Sequence, residues 1–429
     1  MKISSIYTIF HMFLLKILLD IVFNLRIKEY FTFLVSFEEN YFKVFESYIL
    51  LAILLVFLNK KNTDDKLSTI LVLVLFTIHY IPTLVLYGYM NLSREFIYLT
   101  SLYWIILILS IKFINLDNIE LRGRFKTNKI FYSILLIWCL VVPIISFNYF
   151  DVNIDLNLLN LFSKDIYEIR DNNSGIYDNL GVFNIILRWG SFVVFPVMFT
   201  YFYSINKKKL CLIPVILQLL LFFTMPFKSW LLVIPFTFIL YILYNPKNFK
   251  VNILMAINSF VLLSILLFKY ISHSLGEIFI ILIIRRVFFI PALLSNLYYE
   301  FFKDRPAFLI QASFLKDIIP NGYSNTPPYL VSQYFFGESF NANTGLFGDA
   351  YSIFKVIGIL IFPVIYAFLF RLMDNFSKGI DKKAVMGIVL AQIVVLTNSS
   401  IIAILIGHGF LFMLLIMYIM PRTKVASNL

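Results

Sequence analysis

Long apolar runs separated by short polar, lysine-rich stretches set the pattern of this chain. The apolar residues follow neither the alternation of a half-buried strand nor the one-sided stripe of a surface helix. They continue for about 20 residues at a time, the length an α-helix needs to cross a bilayer. Twelve runs predict spans at residues 4–23, 41–58, 67–86, 96–111, 130–150, 182–204, 210–224, 230–244, 251–268, 347–370, 384–402 and 405–420. Two stretches break the rhythm. Residues 151–181 are acidic, with Asp151, Asp155, Asp165, Glu168, Asp171 and Asp178 against Lys164 and Arg170, and their 156–162 portion is apolar enough to lie on a membrane surface. Residues 273–346 open with an apolar run that carries Arg285 and Arg286 side by side. They continue through Tyr298-Tyr299-Glu300-Phe301-Phe302-Lys303-Asp304-Arg305 into a loop rich in Pro, Asn, Ser and Gly. Loops of this length are functional or disordered, and the aromatic residues persisting through this one argue against disorder.

The basic residues orient the spans. Twenty Lys and Arg fall in the short loops of one side and twelve in the longer loops of the other. The Lys/Arg-dense side is the cytoplasmic one. Both termini are therefore expected in the cytoplasm, and 151–181 and 273–346 face outward. If residues 278–297 crossed as well, the Lys-rich 375–383 loop and the C-terminus would flip outward. That run is accordingly read as a re-entrant or interfacial helix within the long outer loop. The N-terminal run lacks a small-residue cleavage site after it and is read as a retained first span.

Composition adds that 60% of the 429 residues are hydrophobic, with mean hydropathy +0.86 and only 14% charged. No soluble domain of this size hides so much apolar surface. The fold class is all-α, a polytopic membrane bundle, taken as one integral membrane domain over 1–429. The formal charge of +12 reflects membrane topology, so no nucleic-acid partner is expected. Cys139 and Cys211 give no disulfide or metal spacing, the four histidines never pair at ligand spacing, and no acidic metal-binding pair occurs, so neither metal nor cofactor is expected.

Charge at membrane depth marks the candidate chemistry. An Arg in the bilayer costs at least about 2.5 kcal/mol unless it faces protein or water. Arg285 and Arg286 therefore need an anion, either a ligand or carboxylates such as Glu277 and Glu300. Arg188 lies about two turns into the sixth span from its outer end. Lys228 sits in the short outer turn 224–230. Asp349, where the long loop re-enters the membrane, reads as a base, a sugar ligand or a helix cap. His408, between Gly407 and Gly409, reads as a base or an interhelical hydrogen-bonding residue. Lys16 and Asp20, spaced i,i+4 in the first span, look structural. Tyr298, Tyr299, Tyr323, Tyr329, Tyr334 and Tyr351 on the long loop are either sugar-stacking faces or an interfacial belt.

Arg170 and Gly181 stand in an Arg-x10-Gly spacing, and Pro226-Phe-Lys-Ser-Trp230 forms a short Lys-bearing turn. Arg285-Arg286 leads into Tyr298-Tyr299-Glu-Phe-Phe302. Asn343-Thr-Gly-Leu-Phe-Gly-Asp-Ala-Tyr351 is followed one span later by Gly358. With twelve spans and two outer loops, this arrangement resembles the Wzy-type O-antigen and capsular polysaccharide repeat-unit polymerases. A second Arg-x10-Gly is absent, since Lys316 stands eleven residues beyond Arg305. The resemblance implies a GT-C-like fold in the bacterial cytoplasmic membrane and undecaprenyl-pyrophosphate-linked oligosaccharide as substrate, with membrane lipid, a chain-length regulator and a flippase as partners. It places Arg170, Arg188, Lys228, Arg285, Arg286, Arg305 and Tyr351 at pyrophosphate or glycan and Asp349 or His408 at catalysis, without a cofactor. The alternatives are a lipid-linked oligosaccharide flippase or polysaccharide exporter, and an O-antigen ligase.

Overall fold

A computed structural model describes residues 3–32, 39–59, 66–116, 128–152, 154–159, 165–309 and 322–422. Parts of both predicted outer loops, with Lys164 and Lys316, lie outside the described residues, as do several of the basic residues used for orientation. The protein is all-helical, 83% helix with no strand among the described residues. Nine of the described helices are long and apolar enough to cross a membrane: Ser5–Leu25, Tyr41–Leu58, Leu67–Tyr89, Arg94–Phe113, Asn128–Tyr149, Val182–Ser204, Phe249–Ile271, His273–Phe302 and Leu346–Phe376. Eight of these coincide with predicted spans. The ninth, His273–Phe302, contains the run read from sequence as re-entrant or interfacial. The other four predicted spans fall on shorter helices, Leu212–Thr224, Lys228–Leu243, Lys382–Asn398 and Phe410–Ile419.

The chain divides into two compact units. The first comprises Met1–Asn115, Asn245–Arg371 and Ile393–Ile401, the second Leu116–Tyr244, Leu372–Gln392 and Ile402–Leu429. In the first unit Leu67–Tyr89 is the central element, 94% buried over its most apolar stretch. A helix that is apolar on every side belongs inside a bundle. Two of its threonines are satisfied locally: Thr77 and Thr83 donate to the carbonyls of Leu73 and His79, each at 2.7 Å. On the first helix, Lys16 donates to both carboxylate oxygens of Asp20 at 2.6 and 2.8 Å, Tyr48 donates to the same carboxylate at 2.6 Å, and Lys16 also lies over the Tyr48 ring. The pair is structural, as its spacing predicts.

The second unit is tied by aromatic stacking. Trp138, Trp189 and Phe412 form a stack from three helices, with Trp189 and Phe412 centroids 4.5 Å apart. The two indoles donate to the carbonyls of Ile186 and Ile406. Gln218, buried, donates to Ser191 at 2.7 Å and to the Trp230 carbonyl at 2.6 Å. The acidic segment between the fifth and sixth predicted spans contains a helix, Asp165–Asn179. It is docked on the unit: Ile166 packs with Phe222 and Phe223, and Asn173 donates to the Thr224 carbonyl at 2.8 Å. Leu158, expected on the membrane surface, is buried in that same cluster, because the cluster offers it an apolar site within the protein. Residues 160–162 of that portion lie outside the described residues.

Proline shapes three spans in the same way. Pro82, Pro196 and Pro291 each begin a regular helical stretch just after a turn widened to five-residue hydrogen bonds, at Phe76–Tyr80, Gly190–Val194 and Ile280–Phe289. Proline has no N–H to donate and its ring crowds the carbonyl four residues back, so the ladder opens ahead of it. One such freed carbonyl finds a partner: Phe192, four residues before Pro196, accepts from Gln392 at 3.2 Å. Widened turns are found frequently at functional sites.

Lys16→Met should lower stability by about 3–5 kcal/mol, because it strands a buried carboxylate, whereas Lys16→Met with Asp20→Leu should recover most of that loss. Thermal unfolding of the purified variants in detergent checks this, and equal loss in both would show that the ion pair is not what Lys16 contributes.

Candidate functional site

The two arginines of the long segment sit in the widened turn ahead of Pro291. The Arg285 guanidinium lies 4.9 Å from the centre of the Tyr30 ring, and its Nε is buried with no hydrogen-bond partner among the described residues. Arg286 is exposed. The two carboxylates that could have neutralised them are otherwise engaged. Glu277 accepts from Arg26 and from the Tyr30 hydroxyl, the latter at 3.2 Å. Glu300 pairs with Lys303 at 2.6 Å, and this hydrogen bond holds the Lys303 ammonium above its ordinary range. Among the described residues, neither Arg285 nor Arg286 forms an ion pair. Arg26 and Tyr30, which shape this corner, were not anticipated. Arg26 ends the first helix in a segment read only as a connector, and nothing local marks it as a partner for Glu277.

Arg305 is held differently. Its Nη1 donates to the Phe301 carbonyl at 2.7 Å, and its guanidinium lies against two rings, 4.3 Å from the centre of Phe301 and 4.5 Å from Tyr334. With Glu300, Lys303, Asp304, Tyr334 and Phe335 it lines an open cavity of about 410 Å³. Tyr351 is buried, stacked on Phe347 and packed against Tyr299. Asp349 is buried as well. It lies inside the helix that begins at Leu346, so it does not cap that helix. Its carboxylate accepts instead from the backbone N–H of Ile401 at 2.8 Å, at the start of the next helical stretch. Gly345 and Gly358 permit the close packing here, since a Cβ at either would lie 2.2 or 2.0 Å from the carbonyl of Leu396 or Ala350.

The second unit carries Arg170, Arg188, Lys228 and His408. Arg188 immediately precedes the widened turn ahead of Pro196. Its Nε donates to the Asn184 side chain at 2.6 Å and to the Tyr177 hydroxyl at 3.1 Å. Asn184 is fixed in turn by donating to the Tyr177 carbonyl at 3.0 Å. Only neutral groups hold this guanidinium, and no carboxylate pairs with it among the described residues. The Arg188–Asn184 contact follows from i,i+4 spacing and was legible in the sequence. The Tyr177 contact depends on the docking of the helix Asp165–Asn179.

The Arg188 fork borders Gly407, and its charge acts on His408, whose ring meets Phe192 edge-on. Gly409, with φ of +80°, lets the chain turn against Trp189, where a Cβ would come within 2.7 Å of the indole. Tyr177 also packs on Phe227 and Trp230, which flank Lys228, the first residue of its helix. Thus the second unit brings Arg188 and His408 together and links them through Tyr177 to the Lys228 turn. Arg170 lies on the docked helix Asp165–Asn179, 3.8 Å from Asp171.

Among the described residues, no three His, Cys, Asp or Glu side chains gather as metal ligands would. Comparison of the chain with family models, curated proteins and solved structures returns no match. The fold and site define a membrane protein of long apolar helices in which Arg188, Arg285 and Arg286 have no carboxylate partner among the described residues.

Asn184→Leu should remove the main support of Arg188, costing about 1.5–3 kcal/mol for a hydrogen bond to a charged group. Gly409→Ala should cost about 1–3 kcal/mol through backbone strain alone. Both are read as lowered melting temperatures, and an unchanged melting point in either would remove the corresponding contact from this account.

Proposed function

We propose that the chain is a Wzy-type polysaccharide polymerase, a membrane glycosyltransferase with about twelve spans and a GT-C-like fold in the bacterial cytoplasmic membrane, with both termini in the cytoplasm. It transfers a growing glycan from undecaprenyl pyrophosphate to a repeat unit carried on the same lipid, at the outer face. The anomeric carbon–oxygen bond to pyrophosphate breaks, a glycosidic bond forms to an acceptor hydroxyl, and that hydroxyl's proton passes to a base.

The observation that carries the reading is the set of arginines on membrane-spanning helices, Arg188, Arg285 and Arg286, that no carboxylate neutralises among the described residues. A cation at membrane depth needs an anion, protein or water to offset its cost, and of the three Arg188 and Arg285 are half-buried while Arg286 is exposed. A guanidinium suits the paired oxygens of a phosphate, and stabilising a departing pyrophosphate is the main catalytic demand of the reaction. Arg188, whose Nε is fixed by neutral groups, keeps its Nη fork for such an anion. His408 beside it is the better-placed base, because Asp349 is buried and bonded to Ile401. Arg305 with Tyr334 and the carboxylates of the 410 Å³ cavity offers the mixture of ring face and acceptors that a sugar needs. Arg170, Lys228 and Tyr351 are placed less directly on substrate.

A deletion strain complemented with wild type, Arg285→Ala, Arg286→Ala or Arg188→Ala, with surface glycan resolved on a ladder gel, tests this. Single-repeat glycan in the deletion and the Arg variants, with the ladder restored by wild type, is the expected result. Loss of all surface repeat units in the deletion would point to a flippase or ligase. A normal ladder from all three Arg variants, at wild-type protein levels, would remove the anion site.

A further inference from the structure

In the first unit, Tyr30 serves two cations. The Arg26 guanidinium lies 5.2 Å from the centre of its ring and the Arg285 guanidinium 4.9 Å. Glu277 stands at the hydroxyl end of the same tyrosine. Three donors converge on one of its oxygens: Arg26 Nε at 3.0 Å, Arg26 Nη2, and the Tyr30 hydroxyl at 3.2 Å. Glu277 and Arg285 are thus separated by little more than one tyrosine, yet neither a hydrogen bond nor an ion pair joins them. The first helix ends at Leu25, and a short helical turn, Ile27–Phe31, follows it, rooted by buried Ile27 and Phe31. Arg26 precedes that turn and Tyr30 lies within it, with Arg26 Nη2 3.4 Å from the Tyr30 hydroxyl. Phe23 packs on Phe289 with centroids 5.6 Å apart, which holds the turn against the segment that carries Glu277 and Arg285.

A carboxylate this near a guanidinium pairs with it unless other donors hold it, because charge-assisted hydrogen bonds are the strong ones. We infer that Arg26 and Tyr30 are positioning residues: they sequester Glu277 and so keep Arg285 open for an anion of the phosphate or pyrophosphate class, whose paired oxygens match a guanidinium. Each acts through Glu277. The inference rests on the reading of Arg285 as an anion site. The other charged groups of the corner leave this balance intact. Glu29, the second carboxylate on Arg26, is 63% exposed, so loss of Arg26 returns it to solvent. His273 lies 3.8 Å from the second oxygen of Glu277 but is 65% exposed, and contacts of that kind hold weakly. Glu277, 28% exposed, is the carboxylate that Arg26 keeps from Arg285.

Titration of the purified protein in detergent with inorganic pyrophosphate, read by calorimetry at neutral pH, tests this. Arg285→Ala gives the affinity of a site without its cation. Arg26→Ala should weaken binding about tenfold toward that value, the size of a coupling within one ion-pair network. Glu277→Gln, and Arg26→Ala combined with Glu277→Gln, should both bind as wild type does, because the carboxylate that would fill the site is then neutral. A merely structural tie between Arg26 and Glu277 is broken from either side, so it predicts equal loss in Arg26→Ala and Glu277→Gln. Should Arg26→Ala not fold, Tyr30→Phe, which drops one donor to Glu277 and keeps the ring, should weaken binding in the same direction, and adding Glu277→Gln should reverse it. No binding by wild type, or wild-type affinity in Arg285→Ala, removes the anion reading at Arg285 and this inference with it. Loss in Arg285→Ala with wild-type affinity in Arg26→Ala, or with equal loss in Arg26→Ala and Glu277→Gln, overturns the inference alone.

Discussion

Inside a bundle of apolar helices, every charge and every unmade hydrogen bond must be answered by the protein or by something bound to it. Water is absent from the hydrocarbon, and a stranded polar group costs kilocalories. The chain answers most of its groups internally. Lys16 has Asp20 and Tyr48, Gln218 has Ser191 and the Trp230 carbonyl, and the carbonyl freed by Pro196 has Gln392. Against that background, the groups that are not answered stand out. Among them are Arg188, Arg285 and Arg286, whose charge no carboxylate of the described residues meets.

Backbone irregularity falls in the same places. A proline opens the ladder behind it, and the widened turn swings side chains off the regular helical spacing. Arg285 and Arg286 are carried by one such turn, and Arg188 stands at the edge of another. His408 follows a third widened turn and is set between two glycines, one of which has a positive φ. An intact α-helix would present these groups on a fixed stripe. The interrupted helices place them by local geometry, with the cost of the irregularity met by side chains such as Trp189 and Gln392 on neighbouring carbonyls.

Each unit arrives at a cation by a different route. In the second, Arg188 is locked by Asn184 and Tyr177 through its Nε, lies over the Tyr177 ring, and has Nη1 beside Gly407. In the first, Arg285 rests on the Tyr30 ring while Arg26 and Tyr30 hold Glu277, the carboxylate that lies closest along its own helix. Arg26 thereby prevents Arg285 from being neutralised from within. Anion recognition needs this kind of preserved imbalance, since a cation already paired has little left to offer a ligand.

Much of this was legible in the linear chain because burial in a membrane demands length and composition, and both are local properties. Eight helices able to cross coincide with apolar runs that need no partner to be recognised, the Lys16–Asp20 and Asn184–Arg188 pairs follow from i,i+4 geometry, and Pro82, Pro196 and Pro291 mark where helices must loosen. Other features depended on partners remote in sequence. Whether Glu277 serves Arg285 or Arg26 was decided by a residue 251 positions away. Asp349, which read equally as a base or sugar ligand and as a cap for its own helix, is bonded to Ile401, because Gly345 lets the end of one helix pack against the start of another. The acidic segment that carries the helix 165–179 looked like a surface loop, and Leu158 and Ile166 pack instead with Phe222 and Phe223. Apolar length and helical spacing are written residue by residue, so the sequence by itself determined eight of the nine long apolar helices among the described residues and the local pairs. Which polar groups are left for a ligand is the remainder after all long-range hydrogen bonds are made, and only the tertiary structure decides that.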